Sequence, residues 1–100
     1  MTQYTIYIRP SALIEIKALP GNIKQRVKRA IDYLANEPYP SNSKALNIQD
    51  FNAWRLRLDR WRILYTVTEN HQIVDILAVR KRPPYDYKDL EQLLSNSERE

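Results

Sequence analysis

The sequence alternates strictly between two sets of side chains over residues 53–68, which read AWRLRLDRWRILYTVT. Period-two alternation in a stretch rich in aromatic and β-branched residues predicts two half-buried β-strands. Asp59 and Arg60 interrupt the alternation, and so short a polar break predicts a hairpin turn. The chain is therefore expected to contain an antiparallel sheet with one buried face.

The register of this hairpin follows from the length of its turn. A loop of two residues, or of four, fixes which positions on the two strands face each other. One face would then be apolar, with Leu58 opposite Trp61, Leu56 opposite Ile63 and Trp54 opposite Tyr65. Such cross-strand pairs stabilise a sheet, so this face is expected to enter the core.

The opposite face of the hairpin would carry three arginines, Arg55, Arg57 and Arg62. Arg57 would lie across from Arg62, and like charges in that position destabilise a sheet. At about 5 Å and an effective dielectric constant near 20, they would repel by about 3 kcal/mol. Long side chains that splay into water recover most of that energy. The cluster therefore indicates an anionic partner, and a solvated outer face is the alternative interpretation.

Composition excludes several classes of site. The 100 residues suffice for one domain with a modest core. The chain has no cysteine, which excludes disulfides, cysteine-containing metal sites and a cysteine nucleophile, and its single histidine excludes a histidine-rich metal cluster. No apolar run approaches the roughly 20 residues of a membrane span, and the N-terminus lacks a signal-peptide pattern. We expect a cytoplasmic protein with no membrane partner and no cofactor.

The net charge of +4 is unevenly distributed. Residues 86–100 carry five acidic and two basic residues, a net charge of −3, so the remainder of the chain carries +7. A basic body with a short acidic tail favours a polyanionic partner, most plausibly nucleic acid. The alternative is that the positive charge only aids solubility.

The N-terminal half predicts one strand and two helices. Residues 3–8 alternate as a short strand, and Pro10 suits the first position of a helix that Pro20 ends. Asn22 is expected to cap a second helix, whose apolar stripe runs to about Ala35. Because two helices precede the hairpin, they are expected to pack together on its apolar face.

The C-terminal half predicts further strands and a tail helix. Residues 44–48 suggest a short edge strand, and residues 72–80 are apolar on both faces, as in a central strand. Pro83 and Pro84 end that strand, and Asp86 could cap a last helix. The order β-α-α-β-β-β with a short C-terminal helix predicts an α+β fold. In it, the two N-terminal helices pack on one face of a small, mainly antiparallel twisted sheet, and the arginine face is left open.

Four segments of the chain carry a family likeness; in chain order they read RPSALIEIKALP, RVKRAIDYLANEPYP, WRLRLDRWRILYTV and ILAVRKRPPYDY. Together they resemble the RelE/ParE superfamily of bacterial toxins. The most specific is the hairpin, whose second strand WRILY is similar to a YRIxY pattern. The resemblance covers nearly the whole chain. It implies that residues 1–100 form a single RelE-like toxin domain, with an acidic, partly helical tail from about residue 86.

The resemblance to the RelE branch implies a toxin that enters the A site of the 70S ribosome and cuts messenger RNA there without a metal or other cofactor. It also implies a cognate antitoxin as partner. By position, Arg55 and Arg57 match the basic pair of the first hairpin strand, Arg62 the arginine of the second, and Arg82 the arginine after the last strand. Either Tyr85 or Tyr87 would match the C-terminal tyrosine, since Pro83-Pro84 changes the spacing. The implied catalytic set is thus Arg55, Arg57, Arg62, Arg82, Tyr85 and Tyr87, with Lys81, Arg60 and Arg80 binding substrate.

These residue types suit cleavage by the RNA's own 2′-hydroxyl. Guanidinium groups can bind two phosphate oxygens at once as negative charge develops. The guanidinium of arginine does not lose its proton in proteins, so arginine cannot serve as a base. The candidates for proton transfer are Tyr85, Tyr87 and Lys81. Each tyrosine could instead stack on a base or pack the tail onto the body.

Two questions stay open at the level of sequence. A two-residue turn at Asn70-His71 would place Lys81 on the Arg62 face, whereas a three-residue loop would place Arg82 there. The toxin could also be a ParE-like gyrase inhibitor without nuclease activity, or a non-catalytic domain that binds only an acidic partner.

Overall fold

The fold is an α+β arrangement, described by a computed structural model over residues 3–48, 50–82 and 92–94. Within these ranges the elements are β1 (Thr5–Ile8), α1 (Pro10–Lys17), α2 (Gly21–Tyr33), β2 (Ser43–Ala45), β3 (Ala53–Leu58), β4 (Trp61–Thr68) and β5 (Ile73–Lys81). Residues 92–94 are helical. The strands form one sheet in the order β1-β5-β4-β3-β2, in which only the β1–β5 pair is parallel. The predicted fold class is confirmed.

The hairpin of β3 and β4 has the predicted register. Leu56 lies opposite Ile63, Trp54 opposite Tyr65, and the turn between the strands has two residues. Asp59, the first of these, has a φ of 55°, a left-handed conformation that aspartate tolerates better than most residues. The turn residue therefore permits the tight connection that fixes every side chain of the hairpin on its face.

The core lies between the apolar face of this hairpin and the two helices. Leu56, Ile63 and Tyr65 are buried in it. Helix α2 contributes its buried stripe of Val27, Ile31 and Leu34, and α1 contributes Ala12 and Ile16. Trp54 and Ile23 are partly buried at its edge. The predicted assignment of the apolar hairpin face to the core is therefore confirmed. Burial of each large side chain there contributes about 1.5–3 kcal/mol to stability.

The boundaries of α2 correct one prediction. The helix begins at Gly21, and its N-cap is Pro20, with no side-chain cap hydrogen bond. The N–H of Lys24 donates to the Pro20 carbonyl at 2.8 Å, which closes the first turn two residues earlier than a cap at Asn22 would allow. The prediction of Asn22 as N-cap is wrong because the extended backbone of Pro20 already supplies the start.

A β-bulge in β5 settles which C-terminal cation joins the arginine face. Tyr65 pairs with Ile76 but Leu64 pairs with Ala78, so Leu77 is an extra residue on β5. Beyond the bulge, each side chain of β5 lies on the opposite face from the one it would occupy in a regular strand. Arg80 therefore lies opposite Arg62. Two residues further on, Arg82 falls on the side of Arg62. Neither of the turn lengths considered for residues 70 and 71 is observed, because the loop spans residues 69–72.

The arginine side of the sheet is only partly open, contrary to the prediction. Leu64, Leu77 and Ala78 form a second buried cluster there, covered by Leu94. Leu46, Ile48, Phe51 and Leu93 surround it. The bulge contributes to this cluster, since it turns two consecutive residues of β5 toward the same side. Of the predicted tail helix, Asp86 and Tyr87 lie outside the described residues.

Candidate functional site

A cleft of about 210 Å³ lies at the uncovered end of the arginine side. It is lined by Ser41, Asn42, Ser43, Lys44, Arg55, Arg57, Arg62 and Arg82. Five of these side chains are cationic and none is acidic. We call this feature the arginine cleft. Its charge suits an anion, because field lines from clustered cations concentrate in a concave site.

Strand register places the cations of the arginine cleft. Lys44 of β2 lies opposite Arg55, and Arg57 lies opposite Arg62. Cross-strand partners have Cβ atoms about 5 Å apart, so each pair presents two positive charges within reach of one phosphate group. Arg82 is held beside them, because its N–H donates to the carbonyl of Arg60 in the hairpin turn at 2.7 Å.

The loop before β2 forms one wall of the arginine cleft and is fastened to β3. The N–H of Arg57 donates to the Asn42 carbonyl at 2.9 Å, and the Asn42 side-chain amide donates to the Arg57 carbonyl at 3.0 Å. The Ser43 hydroxyl donates to the Pro40 carbonyl at 2.7 Å. These bonds fix the wall relative to the backbone that carries Arg57.

The guanidinium of Arg62 is positioned by the hairpin turn. Its Nη1 donates to the carbonyls of Asp59 and Trp61, both at 2.9 Å. A guanidinium has five N–H donors, so these bonds orient the group without exhausting it. The carboxylate of Asp59 meets a different arginine, Arg26 of α2, at 2.5 Å. The carboxylate of Asp59 is thus paired with α2, and Asp59 is not among the residues that line the arginine cleft.

A hydrogen-bond network supports the same loop from the core side. The Tyr39 hydroxyl donates to Glu69 at 2.6 Å and accepts from Asn52 at 3.0 Å. The indole N–H of Trp54 donates to Asn52 at 2.8 Å, and the Trp54 and Tyr39 rings lie 4.7 Å apart. This network anchors the start of the loop whose next residues line the cleft.

The two tyrosines below the cleft keep their protons at neutral pH. Burial, reinforced by the bond to Glu69, raises the pKa of Tyr39 to about 12. Burial likewise raises the pKa of Tyr65 to about 12, and its hydroxyl donates to the Pro38 carbonyl at 2.8 Å. Neither ring lines the arginine cleft, so both are assigned structural roles.

The remaining predicted site residues are distributed differently. Arg60 and Lys81 line a separate cleft beyond the hairpin turn. Arg80 turns to α1, where its Nε lies 2.5 Å from a carboxylate oxygen of Glu15. The other oxygen of Glu15 accepts from the N–H of Val79 at 3.1 Å. Arg60, Arg80 and Lys81 are therefore not among the residues that line the arginine cleft with the four arginines, and their assignment to substrate binding stays a prediction. Tyr85 and Tyr87 lie outside the described residues.

The sequence interpretation missed Lys44 and the polar residues before it. Lys44 belongs to a three-residue edge strand whose register cannot be read from a turn, because β2 ends at Ala45 and β3 begins only at Ala53. The only available signal was a lysine in a suspected edge strand. His71, in contrast, lies in the exposed turn before β5, as the sequence predicted.

The arginine cleft can bind and stabilise a phosphate group. Arginine forks match pairs of phosphate oxygens, and Lys44 adds a point charge. Within the described ranges, no group of three or more His, Cys, Asp or Glu residues could hold a metal ion. No helix in those ranges is long and apolar enough to span a membrane.

Comparisons with known proteins identify relatives over most of the chain. Residues 6–83 match the family model of the ParE toxin of the type II toxin–antitoxin system parDE. An Escherichia coli protein described as a RelE-like toxin is 27% identical over 88 residues, covering 88% of this chain and 93% of the relative.

Solved structures with the same fold include chains from two toxin–antitoxin complexes. A chain of the RelE–RelB complex of Pyrococcus horikoshii is 26% identical with a TM-score of 0.74, covering 85% of this chain and 100% of the other. A chain of the RelBE2 complex of Mycobacterium tuberculosis is 28% identical with a TM-score of 0.68, covering 80% and 99%.

Proposed function

Because the chain belongs to the ParE toxin family of type II toxin–antitoxin systems, within the RelE/ParE superfamily, we propose that it is a ribosome-dependent endoribonuclease. Its substrate is messenger RNA in the ribosomal A site, and it needs no metal ion. The observation that carries this proposal is the arginine cleft, in which four arginines and a lysine converge and the lining residues that the structure describes include no acidic one.

The proposed reaction uses the 2′-hydroxyl of the RNA as nucleophile. It attacks the adjacent phosphorus, the bond to the 5′-oxygen of the next nucleotide breaks, and that oxygen takes up a proton. The products are a 2′,3′-cyclic phosphate and a free 5′-hydroxyl. The non-bridging oxygens gain negative charge in the transition state, and Arg55, Arg57 and Arg82 are assigned to stabilise it. One well-placed donor of this kind contributes about 3–4 kcal/mol.

Arg62 is assigned a preorganised contact with the same phosphate. Its bonds to the carbonyls of Asp59 and Trp61 hold the guanidinium before substrate arrives, so little reorganisation is needed during the reaction. Proton transfer is assigned to Tyr85 or Tyr87, which follow Arg82 closely in sequence. Neighbouring cations favour the phenolate and would lower the pKa of such a tyrosine. Lys81 becomes the weaker candidate, since it does not line the arginine cleft.

A cognate antitoxin is the second proposed partner. Both solved relatives named above belong to toxin–antitoxin complexes. We propose that this chain likewise binds an antitoxin, with a segment that folds on the toxin surface. Co-expression with the adjacent gene tests this: a small protein should co-purify and restore growth, and failure of both would contradict the proposal.

The matching family model is that of the ParE toxin, so the competing proposal is a ParE-like gyrase inhibitor without nuclease chemistry. Two assays, run in parallel on the same purified protein, distinguish the two functions. Purified protein is added to a translation extract, in which messenger cleavage is mapped by primer extension, and to a gyrase supercoiling reaction. Cleavage by the wild-type chain and by an Arg29→Ala control, with loss in Arg57→Ala, supports the nuclease. Arg29 is the matched control because it is exposed on α2, away from the cleft lining. Blocked supercoiling with intact messenger supports the inhibitor.

A further inference from the structure

A second cleft, of about 550 Å³, adjoins the arginine cleft at the hairpin end of the sheet. It is lined by Ile23, Arg57, Asp59, Arg60, Trp61 and Lys81. Arg57 lines both clefts, so the two lie next to each other at its side chain. Among the described lining residues only Asp59 is acidic, and because it is paired with Arg26, this lining keeps a positive character.

Trp61 gives this second cleft an aromatic surface. The ring is partly buried, because it packs against the core cluster while also lining the cleft. The register of β5 beyond the bulge pairs Trp61 with Lys81, so the two residues are cross-strand neighbours, and both line the cleft. The other tryptophan, Trp54, is engaged differently: its ring lies against Tyr39 and its N–H is bonded to Asn52.

We propose that this second cleft binds a nucleobase of the RNA strand next to the scissile phosphate, with the Trp61 ring as the stacking surface. Arg60 and Lys81 hold the adjoining backbone phosphate. Single-stranded nucleic acid is bound in this way elsewhere, by aromatic rings that take bases and basic residues that follow the backbone. The inference rests on the proposed function, since it assigns the substrate of the arginine cleft a second point of contact.

The chemistry of the lining favours a base over a peptide. An acidic peptide would use Arg60 and Lys81 but would leave the indole face without a planar partner. A base with its phosphate uses the ring and the cations together. Since every base has a π-face, the cleft is expected to bind bases with little sequence preference.

The test uses the full chain and a single-stranded 2′-O-methyl RNA of six nucleotides, whose blocked 2′-oxygens prevent cleavage. A second oligonucleotide has the same length and charge but lacks bases, and an acidic hexapeptide is the third probe. Affinity is measured by anisotropy of labelled probes at low salt. In a Trp54→Phe background, Trp61 is the only tryptophan, and quenching of its emission reports stacking.

We expect the RNA to quench Trp61 and to bind about ten-fold more tightly than the abasic probe, since base–aromatic stacking contributes about 1–3 kcal/mol. Trp61→Leu should lose that ten-fold advantage, and Trp61→Tyr should keep most of it. Trp54→Phe is the matched control and should bind as the wild type does. Thermal melts verify that each variant is folded.

Three results would overturn the inference: equal binding of RNA and abasic probe, undiminished binding by folded Trp61→Leu, or equal quenching by the acidic peptide. Each would show that the cleft responds to charge alone, while messenger cleavage on ribosomes could still occur. Conversely, stacking on Trp61 without any messenger cleavage would contradict the proposed nuclease and leave base binding in place. The two failures are therefore distinguishable.

Discussion

Arg57 and Arg62 face each other across β3 and β4, with both side chains lining one cleft. Their repulsion opposes folding, yet none of the described residues that line the cleft is acidic. The guanidinium of Arg62 is held at the hairpin turn, because it donates to the carbonyl of Asp59 in the turn and to that of Trp61 at the start of β4. Removing Arg57 or Arg62 should therefore have one set of effects if the pair binds substrate and another if the pair only stabilises the fold.

Arg57→Ala should lower messenger cleavage by about 10²-fold, since it removes a transition-state contact. The same change relieves the cross-strand repulsion, so the free energy of unfolding should rise slightly, by at most about 0.5 kcal/mol for such an exposed pair. Cleavage rates and thermal melts of the variant, measured beside Arg29→Ala, check both directions. A variant that is both active and less stable would indicate a structural role for Arg57.

Arg62→Ala should lose cleavage to a similar extent but gain no stability. The substitution removes two hydrogen bonds to the hairpin turn, each contributing about 1 kcal/mol, and that loss offsets the relief of repulsion. Arg62→Lys should restore little activity, because an ammonium cannot reproduce the planar fork. Full activity in the lysine variant would show that charge alone suffices at this position.

Lys44→Ala should weaken RNA binding at every sequence and reduce the dependence of log affinity on log salt by about one unit, as expected for one lost phosphate contact. Lys44 is exposed on an edge strand, so the melting temperature should stay unchanged. Lys28→Ala, exposed on α2, is the matched control. An unchanged salt dependence in Lys44→Ala would remove this lysine from the substrate path.

Arg82→Ala and Lys81→Ala should have different kinetic effects, because consecutive residues of a strand face opposite sides of the sheet and the bulge puts Arg82 on the side of Arg62. Arg82 lines the arginine cleft, so its loss should lower the rate of cleavage at saturating substrate. Lys81 lines the second cleft, so its loss should mainly raise the substrate concentration needed for half-maximal rate. Single-turnover titrations of both variants separate the two effects, and the reverse assignment would contradict the bulge register.

Tyr39 should make stability depend on alkaline pH. Its pKa is raised to about 12 from an ordinary value near 10, so the folded protein favours the neutral phenol. The resulting stabilisation is complete below pH 10 and is lost as the pH rises from 10 to 12. Urea unfolding at pH 9, 10 and 11 should show a smaller loss in Tyr39→Phe than in the wild type. Equal losses would mean that Tyr39 does not carry the effect.

The sequence predicted those parts of the site that depend on local pattern. A two-residue turn determined the faces of Arg55, Arg57 and Arg62, because side-chain alternation in a hairpin leaves no freedom once the turn is set. The position of Arg82 depended on a bulge at Leu77, which is stabilised by tertiary contacts with Leu64 and Leu94. No periodicity in the sequence reports such a contact.

The same distinction explains the other differences between expectation and structure. Arg80 was expected to bind substrate, but its guanidinium forms an ion pair with Glu15 of α1, a residue far away in the sequence. Lys44 joins the arginine cleft from an edge strand, and the chain that follows it packs Ile48 and Phe51 against the second buried cluster. Both outcomes depend on contacts between residues far apart in the chain, which residue spacing does not encode.

The most direct test of the central claim is cleavage of a defined messenger on purified 70S ribosomes whose A site is either empty or filled by a transfer RNA. With the wild-type protein, we predict cleavage only at the empty A site, and product ends that carry a 2′,3′-cyclic phosphate and a 5′-hydroxyl. The single alanine variants of Arg55, Arg57, Arg62 and Arg82 should each be strongly impaired. An intact messenger with the wild-type protein, or normal cleavage by all four variants, would contradict the assignment of the arginine cleft as the catalytic site.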